Sequence, residues 1–192
     1  MINYTPPTQH TSLFYNSEEE YLDIILPYIK AGLENNEFCI WIIPETLTVQ
    51  DAQLHLSESM EDLEAYLKKE QLLIGDHKSF YLNDGVFLGN KTLATIIELE
   101  KKALAKGFKG VRGTGDCSWA LDEHWFGFLM YEEKINQAIE LRKIRALCSY
   151  YIPKLDLKKI YSLGASHQSS LVKQLGSWNR FDPVKFTRAN IY

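Results

Sequence analysis

The stretch KGVRGTGDCSWALDEHW, Lys109–Trp125, gathers an arginine, two closely spaced glycines, an aspartate, a cysteine and a serine into one short run. Those residue types allow two chemistries. A phosphate cradle needs GxxxxGK[ST], because backbone amides and the lysine neutralise the phosphates while the hydroxyl holds magnesium. GTGDCSWAL has no lysine, and Asp116 would repel a phosphate. The usual place for such a cradle, after the first strand, holds YNSEEEYL instead. Glu18, Glu19 and Glu20 suit a helix dipole there, but they would repel a triphosphate. Nucleotide binding of the standard kind is therefore not expected.

A nucleophilic reading takes Cys117 as the attacking thiol, Asp116 as base, and His10 or His124 as partner. A cysteine between Asp and Ser carries no family-independent signal, and a small buried thiol packs as a hydrophobe. His10, at the head of the first strand, reads as a hydrogen-bonded structural histidine. Arg112 is less bland. A buried guanidinium needs a carboxylate or a ligand, since an unpaired buried charge costs several kcal/mol. Asp76 and Glu132 are the candidate partners, in a structural ion pair.

The elements that must position these residues alternate between short apolar runs and helical patterns. HTSLFY (His10–Tyr15) reads as strand one, followed by a capping box at Ser17 and Glu20. Tyr21, Leu22, Ile24, Ile25, Tyr28, Ile29 and Leu33 then recur at helical spacing, with Pro27 expected to bend the helix. FCIWIIP (Phe38–Pro44) is a strand covered on both faces. Thr48 to Glu70 carries two weaker helices broken near Ser57–Ser59, and Leu72–Asp76 is a third strand. Ser79–Asn90 reads as a loop with a turn at Asn83–Gly85. Thr92–Lys106 is an amphipathic helix with Leu93, Ile96, Ile97 and Leu104 inward, stopped by Gly107. GVRGT is strand four, Asp122 caps the next helix, Ile144–Ile152 is strand five, and Leu157–Ala165 is a last helix.

This alternation predicts an α/β fold: a mostly parallel sheet with helices on both faces, in three layers. Ligands in such sheets sit at the carboxyl ends of the strands, where the opening stretch emerges. The 192 residues suit one domain, and 45% hydrophobic with 24% charged residues is a globular composition. A net charge of −4 argues against nucleic acid or anionic lipid as partner. No apolar run approaches a membrane span, and three scattered cysteines fit reduced thiols and a cytoplasmic setting. No motif calls for a cofactor or metal.

HTSLFYNSEEEYLDIILPYIKAGLENNEFCIWIIPE, KGFKGVRGTGDCSWAL, YEEKINQAI and RALCSYYIPKL, in that order, resemble the MEDS domain. This is the sensory domain named for methanogens, methylotrophs and the dichloromethane-responsive regulator. The matching positions are His10, Tyr15, Gly32, Leu33, Glu37, Arg112, Asp116, Ser118, Trp119, Tyr131, Glu132, Cys148 and Tyr150. Ser12 stands where the family often has cysteine, and the end after His167 lacks the family's His-Pro pair. The resemblance implies a RecA-like domain without its phosphate loop, spanning 1–172, with 173–192 as a tail or linker. It implies sensing of simple organic, hydrocarbon-derived molecules and no catalysis. The output would pass through a partner protein or a fused histidine kinase or transcription regulator, and a homodimer is compatible with it.

If the strand order is RecA-like, strand five adjoins strand one and sets Tyr15 and Tyr150 on the same side. A ligand pocket bordered by Tyr15, Asp116, Trp119 and Tyr150, with Cys148 and Arg112 beside it, is then expected at the carboxyl edge. Two other readings stay open. One is an interaction domain whose degenerate pocket is filled by its own side chains, the better account if those four residues prove dispersed or sealed. The other is an enzyme using Cys117 or Cys148.

Overall fold

A computed structural model describes residues 9–183. Its main sheet has seven strands in the order β3-β2-β6-β7-β1-β8-β9. These are β1 (His10–Tyr15), β2 (Phe38–Ile42), β3 (Leu72–Gly75), β6 (Val111–Asp116), β7 (Ile144–Tyr151), β8 (Ser169–Gln174) and β9 (Ser177–Phe181). Every pairing is parallel except β8–β9. The expected adjacency of β1 and β7 is present. One face is covered by α1 (Glu18–Glu34), α2 (Val49–Ser59) and α3 (Leu63–Lys68); the other by α4 (His77–Tyr81), α5 (Gly89–Ala105), α6 (Trp125–Ile139) and α7 (Leu157–Ser166). The architecture is the three-layer α/β sandwich that the alternation predicts. Among the described residues no helix is long and apolar enough to cross a membrane.

Several local expectations change. Residues 173–181 are not a tail: with the preceding residues they form the β8–β9 hairpin, turning at Leu175 and Gly176, both in left-handed backbone conformation. The turn joins strands too short and polar to announce themselves by periodicity. The expected tail beyond Pro183 lies outside the described residues. The Ser79–Asn90 loop instead holds the end of α4 and a small hairpin, β4 (Leu82–Asn83) and β5 (Val86–Phe87), around Asp84–Gly85. In α5 the buried positions are Thr92, Glu100 and Ala103, while Leu104 is 42% exposed. Helix α6 begins at Trp125, and Asp122 contributes its backbone carbonyl rather than its side chain to that start.

Period-two alternation along the central strands decides where each site residue goes. Phe14 pairs with Tyr150 and Tyr15 with Tyr151. Tyr15 and Tyr150 therefore lie on opposite faces, correcting the expectation that they share one. In β6, alternation sends Arg112, Thr114 and Asp116 to the α1 side, whereas Gly113 and Gly115 turn to the side of α4, α5 and α6. Gly115 is required by close approach: a Cβ there would sit 2.3 Å from the Tyr81 hydroxyl.

Candidate functional site

At the carboxyl ends of β1, β2, β6 and β7 a pocket of about 220 Å³ opens between Tyr15, Tyr21, Pro44, Asp116, Ser118 and Tyr151. Glu18, Glu45 and Lys154 also border it. Asp116 ends β6 and is buried in the wall. The Tyr15 hydroxyl donates to its Oδ2 at 2.7 Å, and the Ser118 hydroxyl donates to the same oxygen at 3.1 Å. The Ser118 amide donates to Oδ1 at 3.1 Å. Ser118 opens the 3-10 turn Ser118–Ala120, and its hydroxyl oxygen accepts the Tyr151 amide at 2.9 Å, tying that turn to β7. Burial pushes the Asp116 carboxyl up to about 6, although the Tyr15 and Ser118 hydrogen bonds pull the other way. Burial and the neighbouring Asp116 charge raise the Tyr15 phenol, so it stays a donor.

The helix that a phosphate loop would precede is closed by its own residues. Ser17 Oγ accepts the Glu20 amide at 3.2 Å, and the Glu20 carboxylate accepts the Asn16 amide at 2.9 Å. Half of the expected capping box forms, with Asn16 in the second role. The N–H groups that cradle phosphates elsewhere are partly occupied, under three glutamates.

Of the expected pocket residues, Tyr15 and Asp116 meet at the pocket, and Trp119, Tyr150, Cys148 and Arg112 lie elsewhere. Tyr150 is sealed on the opposite face, near Phe14, Phe128 and His167. Trp119, displaced by the 3-10 turn, stacks on His77 at 5.5 Å and packs against Tyr81, Phe87 and Phe128. Cys148 is buried beneath α6, at one end of an apolar cavity of about 40 Å³. Arg112 sits at the amino end of β6, and its partner is neither Asp76 nor Glu132 but Glu37, which receives the Arg112 Nε–H. Glu132, on α6, is buried under the other face beside His10 and His167, and the Asp76 side chain caps α4. The Arg112 guanidinium also lies 4.9 Å from the Tyr28 ring centroid. Gly32 makes that space, since a Cβ there would lie 2.6 Å from Arg112 Cδ. This pair is structural.

The sequence carries no signal that Tyr21, Tyr151 and Lys154 border this pocket. The first reads as helix core, while alternation along β7 points to the second only once the register is known. The thiols are poor nucleophiles as placed. Burial pushes Cys117 up; the Cys117 contact and burial push Cys148 well up.

The fold is shared with solved structures of low sequence identity. A KaiC-like protein from Pyrococcus horikoshii OT3 matches with a TM-score of 0.56 at 18% identity, over 91% of this chain and 77% of that one. An uncharacterized P. horikoshii protein, solved with an unknown peptide, gives 0.63 at 15%, over 90% and 82%. The flagellar accessory protein FlaH from Methanocaldococcus jannaschii gives 0.55 at 10%, over 91% and 76%. These likenesses support a RecA-like fold and nothing finer. No curated protein sequence matches the chain. The family model MEDS, for MEthanogen/methylotroph, DcmR Sensory domain, matches residues 9–168. The chain belongs to the MEDS family of sensory domains.

Proposed function

We propose that this domain senses a small organic molecule that enters the carboxyl-edge pocket and contacts Tyr15, Asp116 and Tyr151. The observation that carries the reading is the 220 Å³ pocket, with three tyrosines around a fixed carboxylate at the edge where open α/β sheets take ligands. The rings supply apolar walls, and Asp116 supplies an anchor for a hydroxyl or amine. The volume suits a molecule of a few heavy atoms, in keeping with simple hydrocarbon derivatives. A non-catalytic role fits the raised thiols. The signal leaves through a partner protein or a fused kinase or regulator module.

A thermal-shift screen of small alcohols, methylated amines, halocarbons and short acids tests this. A ligand that binds only the folded chain raises the melting temperature with dose. Trp41 gives a second readout, because its indole N–H donates to the Tyr21 hydroxyl at 2.7 Å. The shift should shrink in Tyr15→Phe and Asp116→Asn. If no compound stabilises the chain, or if the variants respond as the parent does, the pocket reading fails and the interaction-domain reading gains.

A further inference from the structure

Under the opposite face, four side chains from different elements converge: His10 of β1, Glu132 of α6, Cys148 of β7, and His167, which follows α7. Their donor atoms all lie within 4.8 Å of one another, and all four residues are buried. His10 Nε2 is 3.0 Å from Glu132 Oε2, and His167 Nε2 is 3.3 Å from the same oxygen. Cys148 Sγ lies 3.5 Å from His10 Nε2.

The surrounding groups decide which ring nitrogens carry hydrogen. The Asn136 amide nitrogen donates to the Ser166 carbonyl, so its oxygen is turned toward His10 and can only accept. His10 Nδ1, 3.1 Å away, is therefore the donor. His167 Nδ1 lies 2.6 Å from the Leu163 carbonyl, which also can only accept. With both Nδ1 positions protonated, each neutral imidazole turns its Nε2 lone pair toward Glu132 Oε2, and among the described residues only that of His10 has a donor within reach, the Cys148 thiol. Neither Glu132 oxygen makes an aligned hydrogen bond among the described residues, and neither does His167 Nε2. Lone pairs converging in a dry interior repel unless a positive charge sits among them. A proton on one imidazole is one remedy; a cation shared by all four groups is a fuller one.

We propose that His10, Glu132, Cys148 and His167 form a binding site for a divalent transition-metal ion of the zinc class. Two imidazoles, a carboxylate and a thiolate suit a borderline-soft ion, and match calcium or magnesium poorly. Bonds of roughly 2.0–2.3 Å set the corners of a tetrahedron roughly 3.3–3.7 Å apart; three of the pairs stand at 3.0, 3.3 and 3.5 Å, and the widest, within 4.8 Å, would have to draw in on binding. The metal would displace the Cys148 thiol proton to solvent, and the Glu132 and Cys148 charges would then balance a dication, so the buried assembly is neutral. Asn136 and the Leu163 carbonyl orient the imidazoles as outer partners do around bound metals. Such an ion would clamp β1, β7, α6 and the end of α7 together. The burial implies loading during folding or a transient opening.

The test is to refold the 192-residue chain with Zn²⁺ or Co²⁺, remove free metal by gel filtration, and measure what stays. The expected result is stoichiometric metal and, with cobalt, tetrahedral-type visible bands plus a near-ultraviolet thiolate-to-cobalt band. Cys148→Ser should remove that band, while Cys39→Ser and Cys117→Ser keep it. His167→Asn and Glu132→Gln should each lower metal affinity roughly tenfold or more. A parent chain that retains no metal overturns the proposal, as does bound cobalt without the thiolate band. Neither result depends on a variant folding. Metal and band that persist in both Cys148→Ser and His167→Asn would also overturn it, by placing the ion elsewhere.

Discussion

Asp116 and Glu132 are buried carboxylates on opposite faces of the same sheet, and burial alone would raise both. Around Asp116 the compensation comes mainly from neutral dipoles, the Tyr15 and Ser118 hydroxyls and one amide, with a smaller pull from the Lys154 charge, and the carboxyl is left raised to about 6. Around Glu132 stand two imidazoles, and without a metal a proton rests on His167, whose pKa the Cys148 and Glu132 contacts raise to about 10 against burial; the imidazole contacts then overcome burial and hold Glu132 down at about 2. The difference lies in what each strand face presents. Neutral hydrogen bonds leave a carboxyl at an open pocket poised between its two forms, whereas charge-capable partners fix an anion inside a sealed core.

The largest effect is expected on the sealed side. Glu132→Gln takes away the anion that both inward-facing rings approach, and should cost about 3–5 kcal/mol in denaturant unfolding. A midpoint equal to the parent's would show that the cluster contributes no cohesion. Next comes Arg112→Met, which strands Glu37 and should cost about 3 kcal/mol; adding Glu37→Gln should recover part of it. Full additivity of the two changes would mean that the pair is not coupled.

The open side should reveal itself through pH. Below about pH 4 Asp116 is protonated whether the chain is folded or not. Above about 6 it is ionised in both states and the cost of burying the charge is felt in full. The folded pKa is raised, so the stability of the parent relative to Asp116→Asn should fall as pH climbs from about 4 to about 6, by up to about 3 kcal/mol. Comparing the two chains cancels His10, whose pKa burial and the neighbouring His167 lower to about 4. A gap that stays constant with pH would place Asp116 in ordinary solvent. The smallest expected effect is none: calorimetry at millimolar ATP·Mg should show no binding heat, because Glu18–Glu20 crowd the helix start. A micromolar isotherm would reverse that assignment.

Much of this layout was legible in the residues. The strand–helix alternation carried the sheet, and YNSEEEYL in place of a phosphate loop carried the expectation that nucleotide does not bind. Asp116 and Tyr15 could be paired because both end strands expected near the switch point. Tyr150 could not be told from Tyr151, since a parallel register is not pinned by any tight turn and a one-residue slip exchanges the faces. The Arg112 partner was missed for the same reason: Glu37 is brought in by the turn between α1 and β2, not by strand periodicity. His10, Glu132 and Cys148 were each visible, but their meeting with His167 depends on how α6 and α7 cross the sheet.

The proposed sensing role has ligand enter on the Tyr15–Asp116 face and not on the sealed one. The most direct measurement is nuclear magnetic resonance titration of the labelled chain with a stabilising compound from the screen. Dose-dependent shifts should be confined to the amides of Tyr15, Ser17, Asp116, Ser118 and Tyr151, with those of Glu132, Cys148 and His167 unmoved. Shifts centred instead on Cys148, Tyr131 and Ile135, around the small apolar cavity, would contradict it.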